Sequence, residues 1–339
     1  MSNTVLVSGG AGYIGSHMTQ MLRDHGYEVV VFDNLERGNR DATLGAELVV
    51  GDLTDRDALE SLFGKFNFSA VLHFAALAYV GESVTAPDIY YRNNVVGTLN
   101  LVDAMRAHNV SKLVFSSTCA TYGVPESLPI TEKLRQNPIN PYGWSKLMVE
   151  QILKDYAVGF GFNSVSLRYF NAAGCAADGS LGERHDPETH LIPLVLFEAL
   201  RIRDGGNADQ SGLMVFGDDF DTPDGTCIRD YIHVNDLCSA HVKALDLLQQ
   251  QDQTGAKQFN LGVNRGVSVL EVIRACESVT GVTIPYKIAP RRAGDPPELV
   301  SDASLAMGQL NWTPEFVDIR DSIEHAWAWF SQHRPDKAA

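Results

Sequence analysis

A doubly wound α/β fold is predicted by three observations in this 339-residue chain. Short apolar runs of strand type alternate with helix-type segments through the first half. A glycine-rich turn, Gly9-Gly10-Ala11-Gly12-Tyr13-Ile14-Gly15, joins the first strand to the first helix, and an acid, Asp33, ends the second strand. Strands alternating with helices pair in parallel through right-handed crossovers, which lays helices on both faces of one Rossmann-type sheet.

Taken in order, Thr4-Val5-Leu6-Val7-Ser8 reads as a buried strand, and the helix starting near Tyr13 runs to about His25, where Gly26 ends it. Further strands are expected over 28–33, 47–52, 70–74, 112–117 and 164–169. After Asn171 the rhythm breaks. Residues 172–190 are loop-rich, 191–202 read as a helix, and 204–226 are polar and rich in Asp and Gly. An amphipathic helix runs from Ile319 through Trp327, Trp329 and Phe330. A nucleotide-binding domain is expected over 1–171, with the chain returning to it around 228–260. Residues 172–227 and 261–339 are expected to build a smaller, mixed α/β C-terminal substrate domain.

Acidic residues outnumber basic ones, 42 to 27, for a net charge of −15. That field disfavours nucleic acid, which needs a basic stripe. Five scattered cysteines without a Cys-x-x-Cys spacing point to reduced thiols, and no metal site is expected. No apolar run approaches the roughly 18 residues of a membrane span, and a strand starting at Thr4 leaves no room for a signal peptide, so the expected compartment is the cytoplasm.

The glycines carry the first chemical signal. Gly9, Gly12 and Gly15 let backbone N–H groups approach a pyrophosphate at a helix N-terminus, although a tight ligand-free turn uses the same residues. Asp33 favours the nucleotide reading, because a carboxylate at that strand end accepts from ribose hydroxyls and repels a 2′-phosphate. NAD is therefore expected rather than NADP, with Arg37 as the nearby cation that argues the other way. Asp52 reads equally as an acceptor for the adenine amino group or as a strand-end loop acid. Phe74-Ala75-Ala76 offers either close backbone approach to the cofactor or a simple packed turn.

The second signal is Tyr142 and Lys146, at i and i+4 on one helix face that Pro141 starts. A phenol titrating near about 10 is a poor base at neutral pH, and a neighbouring ammonium together with a positive nicotinamide ring is expected to lower it. Alone, this spacing also describes a solvated helix face. The hydroxyl cluster Ser116-Ser117-Thr118 ends the fifth strand, at the rim where such sheets bind ligands, and Thr118 can relay a proton.

Longer stretches sharpen the picture: Gly9 to His17, Phe32-Asp33-Asn34, His73 to Ala76, Val80 to Ser83, Asn93-Asn94, Ser116 to Gly123, Pro141 to Lys146, Arg168 to Asn171, Asp224-Gly225-Thr226, Ile228 to Val234 and Arg291 to Asp295. Over essentially its whole length the chain resembles the extended short-chain dehydrogenase/reductase superfamily, and within it the UDP-glucose 4-epimerase family of NAD-dependent sugar-nucleotide epimerases. The resemblance implies reversible inversion at C4 of a UDP-hexose with NAD kept bound, the 4-keto sugar turning over between two hydride transfers. It implies Tyr142, Lys146 and Thr118 as catalytic residues, and it adds Tyr13, Ile14, Asn34, Leu53, Asn93 and Phe170 to the cofactor set. Around the UDP-sugar it implies Asn171, Arg229 and Arg292 near the diphosphate, Phe216 at the uracil and Asp295 at the ribose. His190, Leu191, Tyr231 and Leu299 complete that implied set. It further implies a homodimer packed through helices near 93–108 and 141–157.

Some positions depart from the family pattern. Thr118 stands where many relatives have serine, Ala78 replaces a lysine near the nicotinamide ribose, and His190 replaces an asparagine beside the diphosphate. Leu299 occupies a position that is often small in relatives accepting N-acetylated sugars, so UDP-glucose and UDP-galactose are the expected substrates. The rivals are a UDP-xylose/UDP-arabinose 4-epimerase, a dehydratase or decarboxylase, and an NAD-sensing regulator. Cys119 and Ala120 lack the acids the dehydratases need, and a regulator would not need both Tyr142 and Lys146.

Overall fold

The computed structural model describes residues 3–250, 255–292 and 295–333, so Ala293 and Gly294 of the motif from Arg291 to Asp295 lie outside the described residues. The first half contains β1 (Thr4–Ser8), α1 (Tyr13–Asp24), β2 (Glu28–Asp33), β3 (Glu47–Val50), α2 (Arg56–Lys65) and β4 (Ala70–His73). It continues with α3 (Val80–Thr85), α4 (Pro87–Tyr90), α5 (Thr98–Ala107), β5 (Lys112–Thr118), α6 (Pro141–Phe160) and β6 (Asn163–Tyr169). Then follow β7 (Asn171–Ala173), α7 (Leu191–Arg203), β8 (Met214–Phe216), β9 (Ile228–His233), α8 (Val234–Gln250) and β10 (Ala256–Leu261). The chain ends with β11 (Gly266–Ser268), α9 (Val269–Thr280), β12 (Lys287–Ala289), β13 (Glu298–Leu299), α10 (Ser304–Gln309) and α11 (Ile319–Gln332).

Seven strands form the main sheet in the order β10-β6-β5-β4-β1-β2-β3, and every neighbouring pair is parallel. This is the predicted doubly wound α/β fold. Chain order reverses between β1 and β4, so the C-terminal ends of those strands border a crevice where ligands bind in open α/β sheets. One face is covered by α1 and α8 through Met18, Leu22, Leu237 and Leu245, all fully buried. On the other face Leu59 of α2, Leu101 of α5 and Val149 and Leu153 of α6 seal the second layer.

The third core belongs to the C-terminal region, where Leu196 of α7, Ile273 of α9 and Phe330 of α11 pack together. A smaller sheet, β11-β9-β13 with β7 beside β9, and the pair β12-β8 lie on that side. Among the described residues no helix is long and apolar enough to cross a membrane.

Three elements differ from the sequence expectation in ways that shape the site. The strand predicted over 47–52 ends at Val50, because Asp52 turns its carboxylate onto the backbone N–H of Thr54. The strand predicted to stop at Ser117 runs to Thr118, whose Oγ1 then accepts from Ala120 N and starts a short 3₁₀ turn. The helix expected over 93–108 begins as a π-helical segment, Tyr91–Gly97, before α5 takes over. Its wider turn points Asn94 inward, where Nδ2 donates to Leu77 O and Ser145 Oγ.

Candidate active site

A cleft of about 1490 Å³ opens at the strand C-termini between the main sheet and the C-terminal region. On its sheet side the glycine turn is set by sterics. Gly9 sits at φ +76°, and a Cβ there would lie 2.4 Å from Ala75 N; at Gly15 a Cβ would lie 2.0 Å from Gly9 O. Gly12 is the N-cap of α1 and, being glycine, provides no side-chain cap, so the first-turn amides of Tyr13, Ile14 and Gly15 are presented at the cleft wall. A backbone cradle closed to side chains, at the positive end of a helix, suits a pyrophosphate.

Asp33 is buried and braces the same turn: its Oδ2 accepts from Ala11 N at 3.0 Å and its Oδ1 from Leu35 N at 2.9 Å. Burial pushes its carboxyl up, and those two amides partly offset the rise. Asp52 accepts from Asn34 Nδ2 at 2.8 Å as well as from Thr54, while Asn34 Oδ1 accepts from Glu36 N. Arg37 is already engaged. Its Nη2 lies 2.7 Å and 2.8 Å from the two oxygens of Glu82, and its guanidinium sits 4.5 Å from the Tyr79 ring centroid. Leu53, Phe74, Ala75, Ala76 and Asn93 line the remaining sheet-side wall.

Tyr142 and Lys146 project from the first turns of α6, which Asn140 caps by accepting from Gly143 N at 2.8 Å. Both side chains are buried at the floor of the cleft, with Thr118 at the end of β5 beside them. The Lys146 ammonium donates to Ser116 O at 2.8 Å and stands 5.9 Å from the Tyr142 ring centroid. Burial, the largest influence, pushes the Tyr142 phenol well above its ordinary value, Tyr169 adds to the rise, and a hydrogen bond with Thr118 opposes it. Within the protein alone, burial therefore sets the direction of this group. The same burial lowers Lys146 from 10.5 to about 7.

The opposite wall gathers residues far apart in sequence. Phe170 and Asn171 lead into β7, His190 and Leu191 start α7, and Phe216 ends β8. Arg229 and Tyr231 come from β9, and Arg229 pairs with Asp295. The Arg292 guanidinium lies 4.1 Å from the Phe216 ring centroid. Leu299 of β13 packs against the cluster of Cys119, Tyr122, Ile130 and Phe170. Each catalytic, cofactor-binding and substrate-binding residue expected from the sequence therefore borders this one cleft.

Residues 5–262 match the model of the NAD dependent epimerase/dehydratase family. The chain belongs to that family. A UDP-glucose 4-epimerase of Halalkalibacterium halodurans is 46% identical over 329 residues, covering 97% of this chain and 96% of the relative. One from Corynebacterium glutamicum is 47% identical over 329 residues, with 96% and 95% covered. The crystal structure of UDP-glucose 4-epimerase from Brucella ovis in complex with NAD is 48% identical and superposes with a TM-score of 0.91, covering 97% of this chain and 98% of that one.

Within the family frame, a lysine buried at the floor of the cleft has a measurable consequence. Below pH 7 Lys146 is protonated in folded and unfolded chains alike, and burial of the cation costs its full penalty. Between about 7 and 10.5 the unfolded chain binds more protons, so this group's contribution to stability rises with pH. The stability difference between the wild type and Lys146→Met, which cannot titrate, is expected to move in favour of the wild type by up to roughly 1.4 kcal/mol per pH unit from pH 7 to 10. Urea unfolding at several pH values checks this; a constant difference would contradict it.

Among the wall residues that sequence reasoning assigned no role are Glu82, Glu183, His185 and Glu188. The alternation Glu183-x-His185-x-x-Glu188-x-His190 is visible in the sequence, but no helix or strand period marks it, because it lies in the irregular segment ahead of α7.

Proposed function

We propose that this chain reversibly inverts C4 of UDP-glucose and UDP-galactose through a 4-keto intermediate, with NAD bound. The observation that carries the reading is a buried tyrosine and lysine on one helix face, beside a strand-end threonine, in the same cleft as the uncapped glycine turn. Bound NAD supplies the hydride acceptor and donor at C4 and a positive ring near the phenol.

The glycine turn and the first amides of α1 hold the pyrophosphate, with Tyr13, Ile14 and Phe170 packed alongside. Asp33 and Asn34 take the adenosine ribose, Asp52 and Leu53 border the adenine, and Phe74 to Ala76 with Asn93 shape the remaining wall. Glu82 removes Arg37 as a partner for a 2′-phosphate, which supports NAD over NADP. Tyr142 takes the proton from O4 and returns it after the sugar has turned, Thr118 relays it, and Lys146 orients and charges the pair. Asn171, His190, Leu191, Tyr231, Arg292 and the Arg229–Asp295 pair grip the diphosphate and ribose, and Phe216 grips the uracil. Grip on the nucleotide leaves the hexose free to present either face.

Residues 1–171 and the return around 228–260 make the NAD-binding domain in this reading, and 172–227 with 261–339 the UDP-sugar domain. The protein works as a cytoplasmic homodimer through the helices near 93–108 and 141–157; exposed Val96, Trp144, Met148 and Phe160 on those segments support it.

Purified protein given NAD and UDP-galactose is expected to yield UDP-glucose, identified by NMR. Leu299, anchored against Phe170 and Tyr122, fills space beside the sugar that an acetamido group needs. Turnover of UDP-N-acetylglucosamine is expected to be at least about tenfold slower, since one misfitting group costs about 1–3 kcal/mol. Comparable rates on the two substrates would contradict the assigned specificity.

A further inference from the structure

We propose that Glu183, His185, Glu188 and His190 form a four-ligand site for a divalent cation, best matched by zinc, in the wall of the cleft. One ligand atom from each of the four residues lies within 4.8 Å of the others. The His185 Nδ1 is 3.1 Å from Glu183 Oε1 and 3.5 Å from Glu188 Oε2, and the His190 Nδ1 is 3.0 Å from Glu183 Oε1 and 2.8 Å from Glu188 Oε1. Zinc with bonds of about 2.0–2.1 Å to nitrogen and oxygen sets tetrahedral ligands about 3.3 Å apart. The three spacings that use Glu183 Oε1 and Glu188 Oε2 as the ligand oxygens, 3.0 Å, 3.1 Å and 3.5 Å, bracket that value. Two imidazoles and two carboxylates, without thiolate, match zinc among the divalent metals that accept both nitrogen and oxygen.

Two of these atoms are poorly satisfied by ion pairing alone: the His185 Nδ1 and the Glu188 Oε2 are buried and lie 3.5 Å apart, with Glu183 Oε1 3.1 Å from His185 Nδ1, yet neither makes a hydrogen bond of good geometry among the described residues. Buried polar atoms rarely go unbonded without a reason. The Glu188 side chain is only 7% exposed and the Glu183 side chain 5%. Glu188 spends its other oxygen, Oε1, on the backbone amides of Thr189 and His190 and on the His190 Nδ1, which holds Oε2 turned toward His185. The His185 ring is itself clamped, with the edges of Tyr13 and Tyr79 each 6.0 Å away between centroids.

Charge also suits a divalent ion, because two carboxylates with two neutral imidazoles cancel its charge once bound. The ion would staple the segment 183–190 to the start of α7 and fix His190 and Leu191 at the cleft, a positioning role that does not depend on which sugar nucleotide is turned over.

The test uses the full chain without an affinity tag, stripped with chelator and titrated calorimetrically with zinc chloride alone. One ion per chain is expected, with protons released on binding, read from the dependence of the heat on buffer. Cobalt(II) is expected to give the intense visible absorption of a four-coordinate site. Glu188→Gln and His185→Ala are each expected to weaken zinc by at least about tenfold, while circular dichroism stays unchanged. His333→Ala, outside the cluster, serves as the control that keeps the affinity. Absence of stoichiometric zinc, or affinity equal in both cluster variants, would overturn the site and leave an adventitious ion only. Should His185→Ala fail to fold, Glu188→Gln alone decides the matter.

Discussion

Replacement of Tyr142 by Phe is expected to lower kcat for UDP-galactose by at least about 100-fold, within the range of about 10²–10⁴ assigned to a positioned proton-transfer group. The substitution removes one oxygen and keeps the ring. Tyr142 is 8% exposed, so the phenyl group of the variant remains packed in the same place. The Lys146 contact with Ser116 O and the caps of α6 do not involve that oxygen, so fold and NAD affinity should persist. Steady-state kinetics by NMR, with NAD affinity measured by calorimetry, separate the two effects. A kcat within threefold of the wild type would remove Tyr142 from the chemistry, and a loss of NAD binding would make its role structural.

The largest loss of stability is expected at Glu150, two helical turns beyond Tyr142 on the same face of α6. Its carboxylate is fully buried and accepts from Arg168 Nε at 2.9 Å, Arg168 Nη2 at 2.6 Å and Ser117 Oγ at 2.6 Å. Arg168 in turn donates to Tyr122 Oη, which donates to Asn260 Oδ1. This network ties α6 to β5, β6 and β10. Glu150→Ala strands a guanidinium with almost no access to water, at a cost of about 3–5 kcal/mol. Urea unfolding gives the number, and less than about 1 kcal/mol would mean that water or another group reaches Arg168. Removing both charges, with Glu150→Leu and Arg168→Leu together, is expected to recover part of the loss, because apolar replacement of a whole buried pair is often tolerated.

What the sequence carried on its surface was whatever repeats with a local period. The parallel strands, the glycine turn and the face shared by Tyr142 and Lys146 all fall within one strand-turn-helix or one helix, so spacing alone located them. Asp52 and the phenol of Tyr142 were harder. Each depends on desolvation or on a hydrogen bond that only the folded chain makes, such as Thr54 N on Asp52 or the burial that raises Tyr142. The far wall was legible only by resemblance, since Arg229 meets Asp295 across 66 positions and Phe216 meets Arg292 between two short strands and a loop. Apart from His190, the Glu183-to-His190 cluster escaped, because a search for metal centred on cysteine spacing cannot see imidazoles and carboxylates placed by an irregular segment.

The central claim is that one cleft oxidises C4 of a UDP-hexose and reduces the same carbon from the other side. UDP-galactose carrying deuterium at C4, incubated with the NAD-loaded protein in ordinary water, tests it. The account predicts UDP-glucose with the deuterium retained at C4; exchange of that deuterium for solvent hydrogen, or recovery of unchanged UDP-galactose, would contradict it.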